Sequence, residues 1–88
     1  ERSRADRIGA QLFDKHTWQR IAWRLGLSDR ELCVLQELFD SRTEPAIAAD
    51  LGISSRTVHH HIEHLYRTLS VSDRMGLAVR VFGCYLSL

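Results

Sequence analysis

Four histidines crowd one short stretch: His59, His60 and His61 in succession, then His64. On a helix, His60 and His64 fall one turn apart on the same face, a spacing that offers two nitrogen ligands to a metal. Two ligands do not fill a tetrahedral shell. No cysteine or aspartate stands close enough in sequence to complete it, so no metal site and no cofactor are expected. A histidine phosphorelay would need a catalytic partner motif, and none accompanies the cluster. No nucleophile–base constellation and no phosphate loop occur either, so an enzyme is not expected. What these residues can do is meet an anion. Histidine titrates near about pH 6.5, and a nearby phosphate favours its charged form. Arg56 and Arg67 bracket the cluster, and Glu63 puts one negative charge among them.

The element that must carry this group is announced by its own ends. Ser54 is placed to cap a helix, with Ile53 and Val58 as the apolar pair that fixes its entry. At about 100° per residue, Val58, Ile62, Leu65 and Leu69 gather on one side of a helix over 55–69. Arg56, His60, Glu63 and Arg67 gather opposite, with His59 and His64 at the margins. Before it comes a short helix over about 44–50, with Pro45 tolerated in its first turn and Ile47, Ala48 and Leu51 as its apolar face. Gly52 then stands where a left-handed turn residue is wanted. Helix, tight glycine turn and helix are the sequence form of a helix-turn-helix.

Three further helices frame that unit. Ser28 and Glu31 form a capping box, and Leu27 with Leu32 supplies the staple for a helix running to about Ser41. Asp14 caps an earlier helix with the stripe Trp18, Ile21, Ala22 and Leu25, from which Trp23 falls away. Ser72 is read as the cap of a last helix reaching about Leu86. That helix is apolar on two faces, Leu77, Val81 and Cys84 on one and Met75, Val79, Phe82 and Leu86 on the other. Two apolar faces need two things to pack against, the core and plausibly a second copy of the chain.

The 88 residues suit one domain with one modest core. Three stretches are expected: a polar tail over 1–12, an amphipathic helix over 13–26 packed on the domain, and the helix-turn-helix domain over 27–88. Apolar residues make up 44% and charged residues 26%, an ordinary globular balance. No apolar run is long enough to span a membrane and no secretory leader pattern opens the chain, so a cytoplasmic location is expected. A chain beginning at Glu1 rather than Met is expected to be part of a longer protein or a trimmed form of one. Cys33 and Cys84 form neither a disulfide framework nor a C-x-x-C pair and are read as small buried hydrophobes. The net charge of +1 is unremarkable, but an acidic middle lies between two basic flanks. Such a distribution suits a module with one side turned to DNA. Arg2, Arg4 and Arg7 offer a basic arm or, more plainly, a solvated tail.

Together the residues form a recognisable pattern: Leu27-Ser28-x-Arg30-Glu31-x-x-Val34-Leu35, then Ile47-Ala48-x-x-Leu51-Gly52-Ile53-Ser54-x-x-Thr57-Val58-x-x-His61, then Leu65-x-x-x-Leu69-x-Val71-x-x-Arg74. This resembles the LuxR/GerE-type helix-turn-helix family of bacterial transcription regulators, over roughly residues 26–83. The resemblance implies an all-α, four-helix, DNA-binding domain, here with an extra N-terminal helix. It implies double-stranded DNA as partner, a homodimer through the last helix, and RNA polymerase as a further candidate partner. Carried over by position, the DNA-binding set is Ser55, Arg56, Thr57, His59, His60, His61, Glu63 and Arg67. The dimer set is Met75, Val79, Phe82 and Leu86.

The chain departs from the family pattern where His59 and Thr68 replace frequent lysines and Glu63 adds an acid. These changes weaken the phosphate term, so weak binding by a monomer is expected. Glu63 is expected to pair with Arg67 one turn on or to accept from a cytosine amino group. Two alternatives stand beside the DNA reading. One is a protein-interaction module that kept the fold and lost DNA affinity. The other is a sigma-factor-like promoter reader, which shares the Ile-Ala-x-x-Leu-Gly-Ile-Ser pattern but fits the last apolar helix and His61 less well.

Overall fold

The computed structural model describes residues 8–88. Arg2, Arg4 and Arg7 of the expected basic arm lie outside them. The described residues form six helices and no strand: α1 (Ile8–Gln11), α2 (Lys15–Leu25), α3 (Asp29–Phe39), α4 (Glu44–Leu51), α5 (Ser55–Leu69) and α6 (Arg74–Leu86). The fold is all-α with a helix-turn-helix at its centre.

Each long helix begins where a side chain can satisfy an orphan backbone N–H. Asp14 accepts from the Thr17 N–H at 2.7 Å, and Ser54 accepts from that of Thr57 at 3.1 Å. At α3 the box is reciprocal: Ser28 Oγ accepts from the Glu31 N–H at 3.1 Å, and Glu31 Oε1 accepts from the Ser28 N–H at 3.0 Å. Two caps differ from the sequence reading. Thr43, unremarked in the sequence, caps α4. Asp73 rather than Ser72 caps α6, accepting from the Gly76 N–H at 2.8 Å. Ser72 stands one position too early, and the aspartate adds a negative charge at the positive end of the helix dipole.

One core joins the helices. Trp18, Ile21 and Leu25 of α2, Val34, Leu35 and Leu38 of α3, Ile47 of α4, the α5 stripe and Leu77, Val81 and Cys84 of α6 are buried together. Cys84 is buried as expected, whereas Cys33 is only half-buried. Helix α4 packs on α5, α3 also packs on α5, and α2 packs on α6.

The stretch read as a polar tail over 1–12 includes an ordered turn. Helix α1 lies against α3, and Gly9 is buried there. A Cβ on Gly9 would stand 1.9 Å from the Gln36 carbonyl oxygen, so only glycine permits this approach. The Gly9 N–H donates to Asp40 Oδ1 at 2.8 Å. Phe13 follows and closes an aromatic cluster. It meets Trp18 edge-on at 5.0 Å, stacks on Tyr85 at 4.6 Å and reaches Phe82 at 5.7 Å between ring centroids.

Candidate nucleic-acid interface

Helix α5 has the bounds read from the sequence, Ser55 to Leu69. It enters through a turn in which Gly52 holds φ at 69° and its N–H bonds the Ala48 carbonyl. A side chain is strained in that left-handed region, so glycine is the residue that lets α4 stop and α5 start so soon. Val58, Ile62, Leu65 and Leu69 anchor one side of α5 in the core. Ser55, Arg56, Thr57, His59, His60, Glu63, His64 and Arg67 are exposed, and His61 is half-buried at the flank.

Exposure alone does not say which charges are free. Glu44 of α4 reaches His59 Nδ1 at 3.2 Å, and Glu63 approaches His59 Nε2 at 3.6 Å. The Glu44 hydrogen bond, helped by the charges of Glu44 and Glu63, holds the His59 pKa above its ordinary 6.5. Glu63 therefore pairs backwards along the helix with His59. The expected i,i+4 pair with Arg67 is not formed.

His64 is bound from another direction. Its Nδ1 hydrogen-bonds Glu31 Oε2, while the other oxygen of Glu31 is occupied by the α3 cap. Glu31 is buried. Burial alone would push its carboxyl up, but the Ser28 N–H and the His64 ring outweigh that and hold it below the ordinary 4.5. One carboxylate thus joins the first turn of α3 to the middle of α5. Neither Glu31 nor Glu44 was legible as a partner of the histidines. The capping box marks Glu31, but nothing local marks a contact 33 residues away.

Three arginines brace the unit. Arg30 donates to the Leu51 carbonyl at 3.4 Å, Arg42 to that of Ala46 at 3.4 Å, and Arg74 to that of Arg42 at 3.1 Å. Thr57 is drawn into the cap, its Oγ1 2.9 Å from Ser54 Oγ. This leaves Arg56, His60 and Arg67 exposed without an acidic partner among the described residues. No three His, Cys, Asp or Glu side chains converge among the described residues in a way that could hold a metal.

The outer face of α6 is apolar and open at Met75, Val79 and Leu86, which are 73%, 66% and 82% exposed. Phe82 is less open, at 40%. It lies on the same stripe but faces Phe13 and stacks toward Phe39 at 6.3 Å, so the chain's own N-terminal segment takes part of its surface. No helix of the described residues is long and apolar enough to cross a membrane.

Comparison with known proteins places this geometry. Residues 25–81 match the family described as "Bacterial regulatory proteins, luxR family". The chain is similar to the bialaphos biosynthetic pathway regulatory protein of Streptomyces hygroscopicus, 39% identical over 62 residues, covering 70% of this chain and 24% of that protein. It is 46% identical over 48 residues to the probable transcriptional regulatory protein NarL of Mycobacterium tuberculosis, covering 54% of this chain and 22% of that one. It is 41% identical over 56 residues to the transcriptional regulatory protein UhpA of Escherichia coli, covering 64% of this chain and 29% of that one. The chain spans about a quarter of the length of these relatives. No solved structure gives a significant match.

Proposed function

Because this chain belongs to the luxR family of bacterial regulatory proteins, we propose that it binds double-stranded DNA in a sequence-specific way as part of a transcription regulator, with α5 in the major groove. The observation that carries the reading is α5 itself: fifteen residues, one side anchored in the core, the other turned to solvent and holding Arg56, His60 and Arg67 without an acidic partner among the described residues. The major groove of about 12 Å admits one helix. In this arrangement Ser55, Thr57 and the first N–H groups of α5 meet phosphate. Arg56, His60 and Arg67 reach base edges or backbone from successive turns. His61 meets phosphate at the flank. His59 and Glu63 contribute as a pair rather than as independent charges.

The open apolar stripe of α6 supports a homodimer, with Met75, Val79 and Leu86 at its centre and Phe82 at its edge. Two recognition helices would then face half-sites related by a two-fold axis. Selection of duplexes from a randomised pool, followed by hydroxyl-radical footprinting, tests both statements. An inverted repeat protected about one helical turn apart is the expected result. Recovery of no common sequence by the folded protein refutes specificity.

A second reading is supported by one observation, the carboxylates that engage two of the α5 histidines. They reduce the positive field and favour a helix-turn-helix module that binds protein more than DNA. Salt-independent, negligible affinity for every duplex would select it.

A further inference from the structure

Helix α2 lies almost wholly outside the residues that match the family, and its outward face has no part in the site above. That face is of one sign. Lys15, Arg20 and Arg24 are exposed along it, His16 is exposed beside them, and no acid follows the Asp14 cap. Arg24 lines one depression with Arg20, Trp23 and Leu88, and a second with Arg80 of α6. No acid pairs with Arg20, Arg24 or Arg80 among the described residues. At the middle of this surface stands Trp23, 83% exposed. The core does not need it, since Trp18, 2% exposed, fills the buried side of the same helix.

An indole held in water by a fixed helix and flanked by Arg20 and Arg24, which no acid pairs among the described residues, has the composition of a protein-binding centre. Trp and Arg carry a large share of interface energy, and the charge sets the sign of the partner. A second copy does not fit, because it would bring the same cations face to face. Duplex DNA fits the charge but gives the indole nothing to enter, since phosphates take hydrogen bonds and charge rather than apolar area. We propose that the α2 face is a docking surface for an acidic amphipathic helix, one that offers apolar side chains to Trp23 and carboxylates to Arg20 and Arg24. None of its residues belongs to the α5 face, and α2 packs on α6.

The test uses the whole chain and a defined probe, a synthetic helical peptide with leucine on one face and glutamate on the other. A lysine-for-glutamate version and a random-sequence duplex serve as comparisons. Tryptophan emission and the anisotropy of the labelled probe are followed together. Saturable binding of the glutamate peptide with a blue shift of emission is expected. Trp23→Ala and the pair Arg20→Glu, Arg24→Glu should each weaken it by about tenfold or more. Arg56→Ala with Arg67→Ala should leave peptide binding unchanged, which separates this surface from the DNA site. Absence of saturable binding, equal binding of the lysine peptide, or full affinity in the α2 variants would overturn the proposal. A loss of duplex affinity in the Arg20→Glu, Arg24→Glu variant, with no peptide binding by the wild type, would instead give the face to nucleic acid. Trp23 is solvent-exposed, so its removal leaves the helical circular dichroism unchanged.

Discussion

Helices α5 and α6 each bury one side in the same core and turn the other to solvent, yet the two outer faces have different needs. That of α5 is polar, and its neighbours complete it: Glu44 and Glu31 reach across to His59 and His64. The outer face of α6 is apolar at Met75, Val79 and Leu86, and only its edge is covered, by Phe13 against Phe82. A polar face is stable in water and can wait for an anion. An exposed apolar stripe is stabilised by a second apolar surface. The difference supports the proposal of nucleic acid for α5 and of a protein partner for α6.

The sharpest way to break this contrast is to put a charge on the apolar stripe. Val79→Asp should abolish self-association in sedimentation equilibrium while leaving the helical signal intact, since the residue is exposed. An equally associated variant would remove α6 from the interface. Next in size, Arg56→Ala combined with Arg67→Ala should weaken duplex binding by about a hundredfold, at about 1–3 kcal/mol per lost contact. Thermal unfolding should be unmoved, because neither side chain bonds to another described residue.

Glu31→Gln should cost about 1–2 kcal/mol, as hydrogen bonds to a buried carboxylate are among the stronger ones and His64 is itself partly in water. The pH dependence has a definite sign. The carboxyl of Glu31 is held below 4.5 in the folded chain, so its contribution is present above that pH. It fades as pH falls through the lowered value. The gap in stability between wild type and Glu31→Gln should therefore close in acid, and a gap that widened there would refute the assignment. The smallest effect belongs to Glu44→Gln, which removes a carboxylate from beside His59. Duplex binding should tighten by about twofold to threefold at low salt. The His59 pair behaves oppositely to Glu31. With its pKa raised above 6.5, its contribution is full below that pH and is lost as pH rises through the raised value.

The contrast between the two helices also marks what was legible. The bounds of α5, its Ser54 cap, its Gly52 turn and its buried stripe follow from residues within four or five positions of one another. So do the caps at Asp14 and Ser28. The stripe on α6 was legible for the same reason. What escaped depends on neighbours distant in sequence. His59 is held by Glu44, fifteen positions before it, and Glu63 stands beside His59 rather than Arg67. Phe82 also meets Phe13, and α1 lies against α3 because Gly9 can touch its backbone. Periodicity shows which side of a helix is wet, but only tertiary contacts show which of its charges are already engaged.

DNA binding by the open face of α5 is read most directly from a fluorescence-anisotropy titration of a random-sequence duplex pool. It compares wild type with the Arg56→Ala, Arg67→Ala variant at two salt concentrations, and at pH 6 and pH 8. Wild-type affinity should fall steeply with salt and be greater at pH 6, and the variant should show a shallower salt slope because two phosphate-competent cations are gone. Equal affinity and equal slope for the two folded proteins would contradict it.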